Sequence, residues 1–221
     1  MKIIAITDVH GRVNQALRIT EIIKREGVKA ILLAGDISRY KSIEEAHEII
    51  KTLTSAGIKV FYVPGNMDDP KICEEVNIEN AVCIHEKVVE FNGYIITGIG
   101  GALKGPFNTP FELSEENILE MLEKLMGRIK CGRRVILVTH NPPYNTKVDE
   151  LGFGEHVGSK SLRMIIEKYK PVLNVCGHIH EARGLDKAHE TIVVNPGPLM
   201  YGYYSVINID GDVKVELMRI P

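Results

Sequence analysis

Three short apolar runs, separated by two amphipathic stretches, constrain the first part of this chain more than any other feature. The apolar runs are residues 2–7, 30–35 and 59–65. Residues 12–26 and 42–56 carry apolar side chains at the spacing of one helix face. A strand–helix–strand–helix–strand order predicts a parallel sheet with helices packed on its faces.

The pattern of apolar residues in the rest of the chain predicts strands interrupted by a few helices. Strands are predicted within 81–100 and over 134–140, 171–178, 191–197, 203–209 and 212–220, and helices over 114–127 and 159–168. Asn92-Gly93 and Asp210-Gly211 are two-residue hairpin turns. Two packed sheets with helices outside would bury all of these segments. The predicted fold is therefore a four-layer α/β/β/α sandwich of two mixed sheets flanked by helices, in a single domain over residues 1–221.

Length, charge and cysteine spacing exclude several classes of protein. The net charge of −2 argues against a sequence-independent binder of nucleic acid polymers, which usually has a basic surplus. The apolar start reaches Asp8 too soon for a secretory signal, and no stretch is long enough to span a bilayer. We therefore expect a cytoplasmic protein without a membrane partner. The four cysteines form no C-x-x-C pair, which argues against a thiolate zinc cluster. The oligomeric state is left open.

Polar side chains follow five of the predicted buried strands at the point where each strand ends. In chain order they are Asp8 and His10, Asp36, Asn66, His140, and His178 and His180. Ligands of open α/β sheets bind beyond the carboxyl ends of strands, and residues two apart in extended chain lie on one side. A single strand that ends in Asp is a weak signal. Five such ends in order predict a cluster of nitrogen and oxygen donors typical of a metal site.

The same residues resemble the signature of the calcineurin-like metallophosphoesterases, in the expected order and over nearly the whole chain. The matching segments are Asp8-Val9-His10, Gly35-Asp36, Gly65-Asn66-Met67-Asp68, His140 and Gly177-His178-Ile179-His180. The resemblance implies one metal ion held by Asp8, His10, Asp36 and His180. It implies a second ion held by Asp36, Asn66, His140 and His178, with Asp36 bridging the two.

Physical reasoning agrees with a dinuclear centre. Two dications about 3.5–4 Å apart need a bridging anion, and a carboxylate has two oxygens to supply it. A hydroxide that bridges the ions would be the nucleophile, because metal binding lowers the pKa of water toward about 7. Neutral imidazole and carboxamide ligands leave such a site net positive, so it attracts an anionic phosphoryl group. The predicted function is metal-dependent hydrolysis of a small phosphate ester, with Asp36 and Asn66 as catalytic residues.

The predicted ligands narrow the choice of metal without deciding it. Imidazole and carboxylate together suit manganese, iron, zinc or nickel better than magnesium or calcium. We expect two divalent transition-metal ions and favour manganese.

Met67 departs from the family pattern, because many members have a histidine after the asparagine that protonates the leaving group. A thioether cannot do so. His156, in the polar loop 152–159, is the alternative candidate acid, or else a solvated loop histidine. Asp68 is expected to orient the ligating imidazoles, or else to serve as a turn residue before Pro70. Asn66, Arg12 and Arg39 are candidates for contacts to the substrate phosphate, although either arginine could instead be solvated or salt-bridged.

Several functions fit this pattern. Phosphodiesters are favoured over monoesters, because the missing histidine resembles phosphodiesterase-type members. The alternatives are a phosphomonoesterase, a DNA nuclease, which the near-neutral charge disfavours, and a non-catalytic metal-binding scaffold of the same fold. Met67 is the only support for the scaffold, and the seven intact ligand positions argue against it.

Overall fold

Strands form the centre of the molecule. The computed structural model describes residues 1–221, apart from the side chain of Arg25. In chain order the strands are β1 (Lys2–Ile6), β2 (Ala30–Ala34), β3 (Lys59–Val63), β4 (Ala81–Cys83), β5 (Val88–Phe91), β6 (Tyr94–Ile99), β7 (Ala102–Leu103), β8 (Glu112–Leu113), β9 (Val135–Thr139), β10 (Leu173–Val175), β11 (Gly184–Ala188), β12 (Thr191–Asn195), β13 (Tyr203–Asp210) and β14 (Asp212–Arg219).

Helices are fewer. They are α1 (Val13–Glu26), α2 (Ile43–Thr54), α3 (Ile72–Glu75), α4 (Glu115–Met126) and α5 (Lys160–Tyr169), with short 3₁₀ turns at His180–Ala182 and Leu199–Tyr201. Among the residues that the structure describes, no helix is both long and apolar enough to cross a membrane.

The strands form two six-stranded mixed sheets, which confirms the predicted fold class. The first has the order β14-β13-β1-β2-β3-β4, and β1 to β4 run parallel. The second has the order β11-β12-β10-β9-β6-β5, and its four inner strands run parallel. Antiparallel strands complete one side of the first sheet and both edges of the second.

Alternating side chains of the buried strands build three apolar layers. Along β2, Ile31 and Leu33 belong to the core under α1 and α2, whereas Leu32 belongs to the core between the sheets. Along β9, Ile136 joins that central core and Leu137 packs in the layer under α4 and α5. Strands that are apolar on both faces are therefore covered on both faces, as parallel sheets require. Burying each large apolar side chain of this kind stabilises the folded state by about 1.5–3 kcal/mol relative to leaving it exposed.

Three features were not predicted from the sequence. Residues 81–100 are split between the sheets: β4 joins the first, and the β5–β6 hairpin, turning at Asn92-Gly93, joins the second. Strand β11 and the short β7–β8 pair lie in segments for which no strand was predicted. Finally, Cys73 and Cys83 form a disulfide between α3 and β4.

Candidate metal centre

The carboxyl ends of the parallel strands of both sheets meet at one edge of the sandwich. Strands β1, β2 and β3 of the first sheet lead into Asp8, Asp36 and Asn66. Strands β9 and β10 of the second lead into His140 and His178. The backbone ties these ends together, since Asp8 N donates to Gly35 O at 3.0 Å and Gly177 N donates to His140 O at 3.0 Å. The fold therefore delivers the predicted donors to one place.

The first group of donor atoms surrounds the Nε2 atom of His10. This atom lies 3.4 Å from Nε2 of His180, 3.7 Å from Oδ2 of Asp36 and 3.9 Å from Oδ1 of Asp8. Nε2 of His180 is in turn 3.2 Å from Oδ1 of Asp8. Two ligands that bind one ion tetrahedrally at about 2.1 Å are themselves about 3.4 Å apart. The four atoms are spaced as the ligands of one cation would be.

The second group surrounds Nε2 of His140. This atom lies 2.8 Å from Oδ1 of Asn66 and 3.4 Å from Oδ1 of Asp36. The ring of His178 packs edge-on against His140, with 5.1 Å between the ring centroids. The two oxygens of Asp36 therefore face different groups: Oδ2 faces His10 and Oδ1 faces His140.

The comparisons with known proteins decide the family. The model of the metallophosphoesterases of the calcineurin superfamily matches residues 38–220. The chain belongs to this superfamily.

Relatives of this metallophosphoesterase are found in archaea and bacteria. An uncharacterized protein of Methanocaldococcus jannaschii is 40% identical over 209 residues, covering 92% of this chain and 91% of its own. A probable cyclic nucleotide phosphodiesterase of Coxiella burnetii is 23% identical over 196 residues, covering 81% and 76%. A crystal structure from Thermus thermophilus superposes with a TM-score of 0.81 at 21% identity, covering 100% and 99%, and supports the fold.

Members of this superfamily depend on two metal ions, and the donors found here fit that requirement. Two sets of three ionisable side chains have their ligand atoms within 4.8 Å of one another, Asp8–His10–His180 and Asp8–Asp36–His140, so Asp8 also lies close to the second group. The amide oxygen of Asn66 adds a neutral ligand beside His140. Two buried carboxylates among imidazoles are a donor set that suits transition metals.

The backbone of this metallophosphoesterase is strained at the donors. Asp8, His10, Asp36 and His178 all have positive φ, at 52°, 45°, 49° and 69°. Residues with side chains rarely adopt this region, which costs on the order of 1–3 kcal/mol each and concentrates at functional sites. Four such residues in one cluster point to a site that is maintained for function.

Glycine is required at Gly177 because the loops approach so closely. A Cβ atom there would lie 1.8 Å from Oγ1 of Thr7 and 2.7 Å from Oδ2 of Asp8. The close approach lets the backbone N–H of His178 donate to Oδ2 of Asp8 at 3.2 Å. Thr7 Oγ1 donates to the same oxygen at 2.7 Å, which leaves Oδ1 facing the first donor group. This orienting role of Thr7 was not visible in the sequence.

The imidazole of His140 has a defined orientation. Its Nδ1 lies 2.7 Å from the carbonyl oxygen of Ala34, which can only accept, so Nδ1 carries a proton and Nε2 faces the centre. Metal-binding histidines commonly have this arrangement, which fixes the tautomer. His140 is thus prepared to present Nε2 to a cation.

Charges in the cluster perturb one another strongly. Burial on its own raises the pKa of Asp8 and of Asp36, yet both pKa values are lowered. The hydrogen bond from His180 and the charge of His140 outweigh burial at Asp8, and the charge of His140 and its hydrogen bond do so at Asp36. Burial opposes the charging of His140, yet the charge of Asp36 raises the pKa of His140 to about 9. Burial and the charge of His140 lower the pKa of His178 to about 4. Without metal, the carboxylates therefore hold a proton on His140.

Of the two roles expected for Asp68, the structure supports the structural one in a turn. Asp68 does not orient an imidazole: Oδ1 accepts hydrogen bonds from the N–H and hydroxyl of Ser38, at 2.8 and 2.9 Å. Oδ2 accepts from the N–H groups of Ile37 and Gly65, at 3.0 and 2.8 Å. The buried carboxylate thus fastens the loop that carries Asp36 to the loop that carries Asn66. The i+2 position after Asn66 gave no indication of these backbone partners.

The two arginines predicted to contact substrate are placed differently from the donors. Arg39 is largely exposed, and its guanidinium pairs with Glu45 on α2. Arg12 is exposed at the start of α1. Of the roles predicted for Arg39, the structure shows the salt bridge.

His156 makes its contacts with residues outside the donor groups. Its Nδ1 lies 2.9 Å from Oδ1 of Asp149, and its ring packs edge-on against Tyr144. Asp149 also accepts hydrogen bonds from the N–H groups of Thr146 and Gly158, so the cluster fastens the loop between β9 and α5. The structure explains His156 as part of this loop.

Two hollows open beside the donors. The Leu151 hollow, of about 510 Å³, is bounded by Leu103–Phe107, Asn141, Leu151, Val157, His178–Glu181 and neighbouring residues. The Tyr40 hollow, of about 480 Å³, is bounded by His10, Asp36, Tyr40, Met67, Phe107–Thr109 and neighbouring residues. Both include Asn66, His178 and His180, so both hollows open at the candidate metal centre. The loop that divides the hollows, between β7 and β8, was missed by sequence reasoning.

We predict that Asp68→Asn destabilises the protein by about 3 kcal/mol, because an amide cannot accept all four hydrogen bonds and leaves buried N–H groups unpaired. For a chain of this length the melting temperature should fall by roughly 6–12 °C. Asp69→Asn is the matched control, since the Asp69 side chain accepts from Lys71 N at a partly exposed turn and an amide can do the same. Equal melting temperatures for the two variants would contradict the fastening role.

We further predict that metal binding releases at least one proton per chain at pH 7. The pKa of His140 is about 9 without metal, so at pH 7 a cation must displace its Nε2 proton. Apparent affinity should therefore rise about tenfold per pH unit below pH 9 and level off above it. Calorimetry with manganese in buffers of different ionisation enthalpy counts the protons. The count should fall in His140→Ala but not in His47→Ala, on the exposed side of α2; zero release from the unaltered protein would refute the prediction.

Proposed function

We propose that this metallophosphoesterase hydrolyses phosphate esters, with phosphodiesters favoured over monoesters, at a centre of two divalent transition-metal ions. Manganese is the favoured metal among manganese, iron, zinc and nickel. The substrate is a small phosphate ester rather than a nucleic acid polymer, and the expected location is the cytoplasm.

One observation carries the proposal: the two oxygens of Asp36 face two different groups of donors. Oδ2 lies 3.7 Å from Nε2 of His10 and Oδ1 lies 3.4 Å from Nε2 of His140. A carboxylate in this position suits a ligand shared by two ions. Asp8, His10 and His180 would complete the first set, and Asn66, His140 and His178 the second.

Bound metal ions would polarise the phosphoryl group and lower the pKa of water. The chain supplies the positioning. Thr7 and the backbone of His178 hold Asp8, and the carbonyl of Ala34 holds His140 in the correct tautomer. Asn66 presents its carboxamide at the junction of the two hollows, where it can also contact a phosphate oxygen. These groups are fixed before substrate arrives, which reduces the reorganisation needed for reaction.

Two features favour diesters. A phosphodiester has two substituents, and two hollows of similar size flank the centre. Met67 lines the Tyr40 hollow where a proton-donating histidine would otherwise stand. The relative in Coxiella burnetii, named a probable cyclic nucleotide phosphodiesterase, is consistent with this preference. A monoesterase and a non-catalytic scaffold are the alternatives, and the complete set of donors argues against the scaffold.

We predict that Asp36→Asn lowers the metal content from two ions per chain to one or none. It should also lower kcat/KM on bis(4-nitrophenyl) phosphate at least a hundredfold, on the order of 3 kcal/mol. The amide can still accept the hydrogen bond that Met67 N donates to Oδ1, so the loop should survive. Metal analysis and initial rates measure both effects. Chelated protein provides the inactive baseline, and 4-nitrophenyl phosphate should be the poorer substrate.

Asp69→Asn is the control for Asp36→Asn, because it makes the same change outside the donor groups. It should retain two ions and full activity. An Asp36→Asn protein with two ions and near-normal turnover would show that the bridge is wrong. Full activity of verified metal-free protein would rule out the dinuclear mechanism altogether.

We also predict a steep dependence of rate on the pKa of the leaving group. General acid catalysis is typically worth ~10²–10⁴-fold, and a thioether at Met67 supplies none. Met67→His should raise rates on poor leaving groups more than on good ones, because position 67 lines the Tyr40 hollow. The measurement is kcat/KM over a series of aryl methyl phosphates.

His156→Ala separates the two candidate acids. If His156 is the acid, this variant steepens the dependence and Met67→His changes little. The contact between His156 and Asp149 favours an unchanged slope for His156→Ala. Equal slopes of log kcat/KM against leaving-group pKa for the original protein, Met67→His and His156→Ala would mean that neither position donates the proton.

A further inference from the structure

The boundary between the two hollows is an exposed aromatic ring. Phe107 lines both hollows, and 84% of it is exposed to solvent. Tyr40, which is 58% exposed, lines the Tyr40 hollow as well. Large apolar side chains at the mouth of a polar site are a common mark of ligand contact. A ring in this position meets any substituent that enters either hollow.

The loop that carries Phe107 is fixed at both ends to residues beside the donors. Leu103 N donates to Oδ1 of Asn141, the neighbour of His140, at 3.1 Å. Phe111 N donates to the carbonyl of Asn66 at 3.0 Å. The anchors hold both ends of the loop at the donor groups, and Phe107 lines the two hollows that open there.

Within the loop, the carboxylate of Glu112 holds Thr109. It accepts from the N–H and hydroxyl of Thr109 at 2.7 and 2.9 Å. Thr109 itself lines both hollows. The hydrogen bonds to Glu112 therefore stabilise the turn next to Phe107. The backbone that carries Phe107 is therefore stabilised, although the side chain of Phe107 is exposed.

The Leu151 hollow has walls that suit a planar apolar group. Leu103, Pro106, Leu151, Val157 and Ile179 line it beside Phe107. Its volume of about 510 Å³ lies within the range of small-ligand sites, roughly 300–1,000 Å³. Aromatic rings pack against one another with a preference beyond the area they bury.

We propose that Phe107 determines specificity by contacting a planar aromatic ring, an aryl group or a nucleoside base, carried by the phosphoester. This inference rests on the proposed function, because the phosphoryl group places the ring. Phe107 binds substrate and has no part in proton transfer.

The test compares phenylphosphonate with methylphosphonate as ligands of the manganese-loaded protein by calorimetry. Both present a phosphonyl group to the metal centre, and only one has a ring. The original protein should bind phenylphosphonate at least about tenfold more tightly, about 1.4 kcal/mol. Phe107→Ala should reduce this ratio to about two, and Phe107→Tyr should retain it. Phe153→Ala is the matched control, since Phe153 is 99% exposed and is not among the residues that line either hollow in the described structure.

Each outcome decides one claim. An equal ratio in the original protein and in Phe107→Ala would overturn the ring contact while leaving the hydrolase proposal standing. If neither phosphonate binds the manganese-loaded protein, the proposed function itself fails. Competitive inhibition by AMP and by ribose 5-phosphate distinguishes the source of the ring. Tighter inhibition by AMP that depends on Phe107 assigns a nucleoside, and its absence beside a phenylphosphonate preference assigns an aryl ester.

Discussion

The buried carboxylate of Asp36 is the interaction on which the rest of the site depends. It follows β2 in the first sheet, yet one of its oxygens faces His140 from the second sheet. Burying a carboxylate is costly unless charge or hydrogen bonds compensate. The Met67 N–H and the imidazoles of His10 and His140 provide part of that compensation. Metal ions would provide more, so the packing of the two sheets and the affinity for cations are coupled through one side chain.

The strained backbone at the donors has a matching source of stability. Residues such as Asp8 and Asp36 remain in the left-handed region only where the surroundings fix them. Here the loops are fixed to one another: His10 N donates to Asp36 O at 2.9 Å, and Asp68 holds the loops after β2 and β3 together. The free energy gained by burying the large apolar layers on both faces of the strands offsets the cost of this backbone strain. Rigidity at the metal centre is thus a consequence of the cores beneath it.

Most of the strands, and the convergence of the seven candidate ligands at one edge, were predictable because their signals are local. Buried parallel strands are continuous apolar runs, and donors directly follow them. The roles of Asp68 and Asn141 were not predictable, since each bonds a partner from another loop. Thr7 bonds the neighbouring residue Asp8, but its spacing from Asp8 in the sequence does not reveal which way its hydroxyl points. Strand β11 was missed because an edge strand with one solvated face looks like a polar loop. The position of Phe107 depends on anchors at Asn66 and Asn141, which sequence spacing does not reveal.

The charges around the two hollows bear on the choice between monoester and diester. A phosphate monoester carries about −1.5 to −2 charges at neutral pH, and a diester carries one. Of the residues that line the hollows in the described structure, Lys104 alone is a lysine or arginine, while Glu112 and Glu181 are carboxylates. Arg39, which was predicted to contact the substrate phosphate, is paired with Glu45. A site with this little positive charge beyond its metals would suit the proposed diester, a monoanion whose second substituent would gain its binding energy from the apolar walls instead.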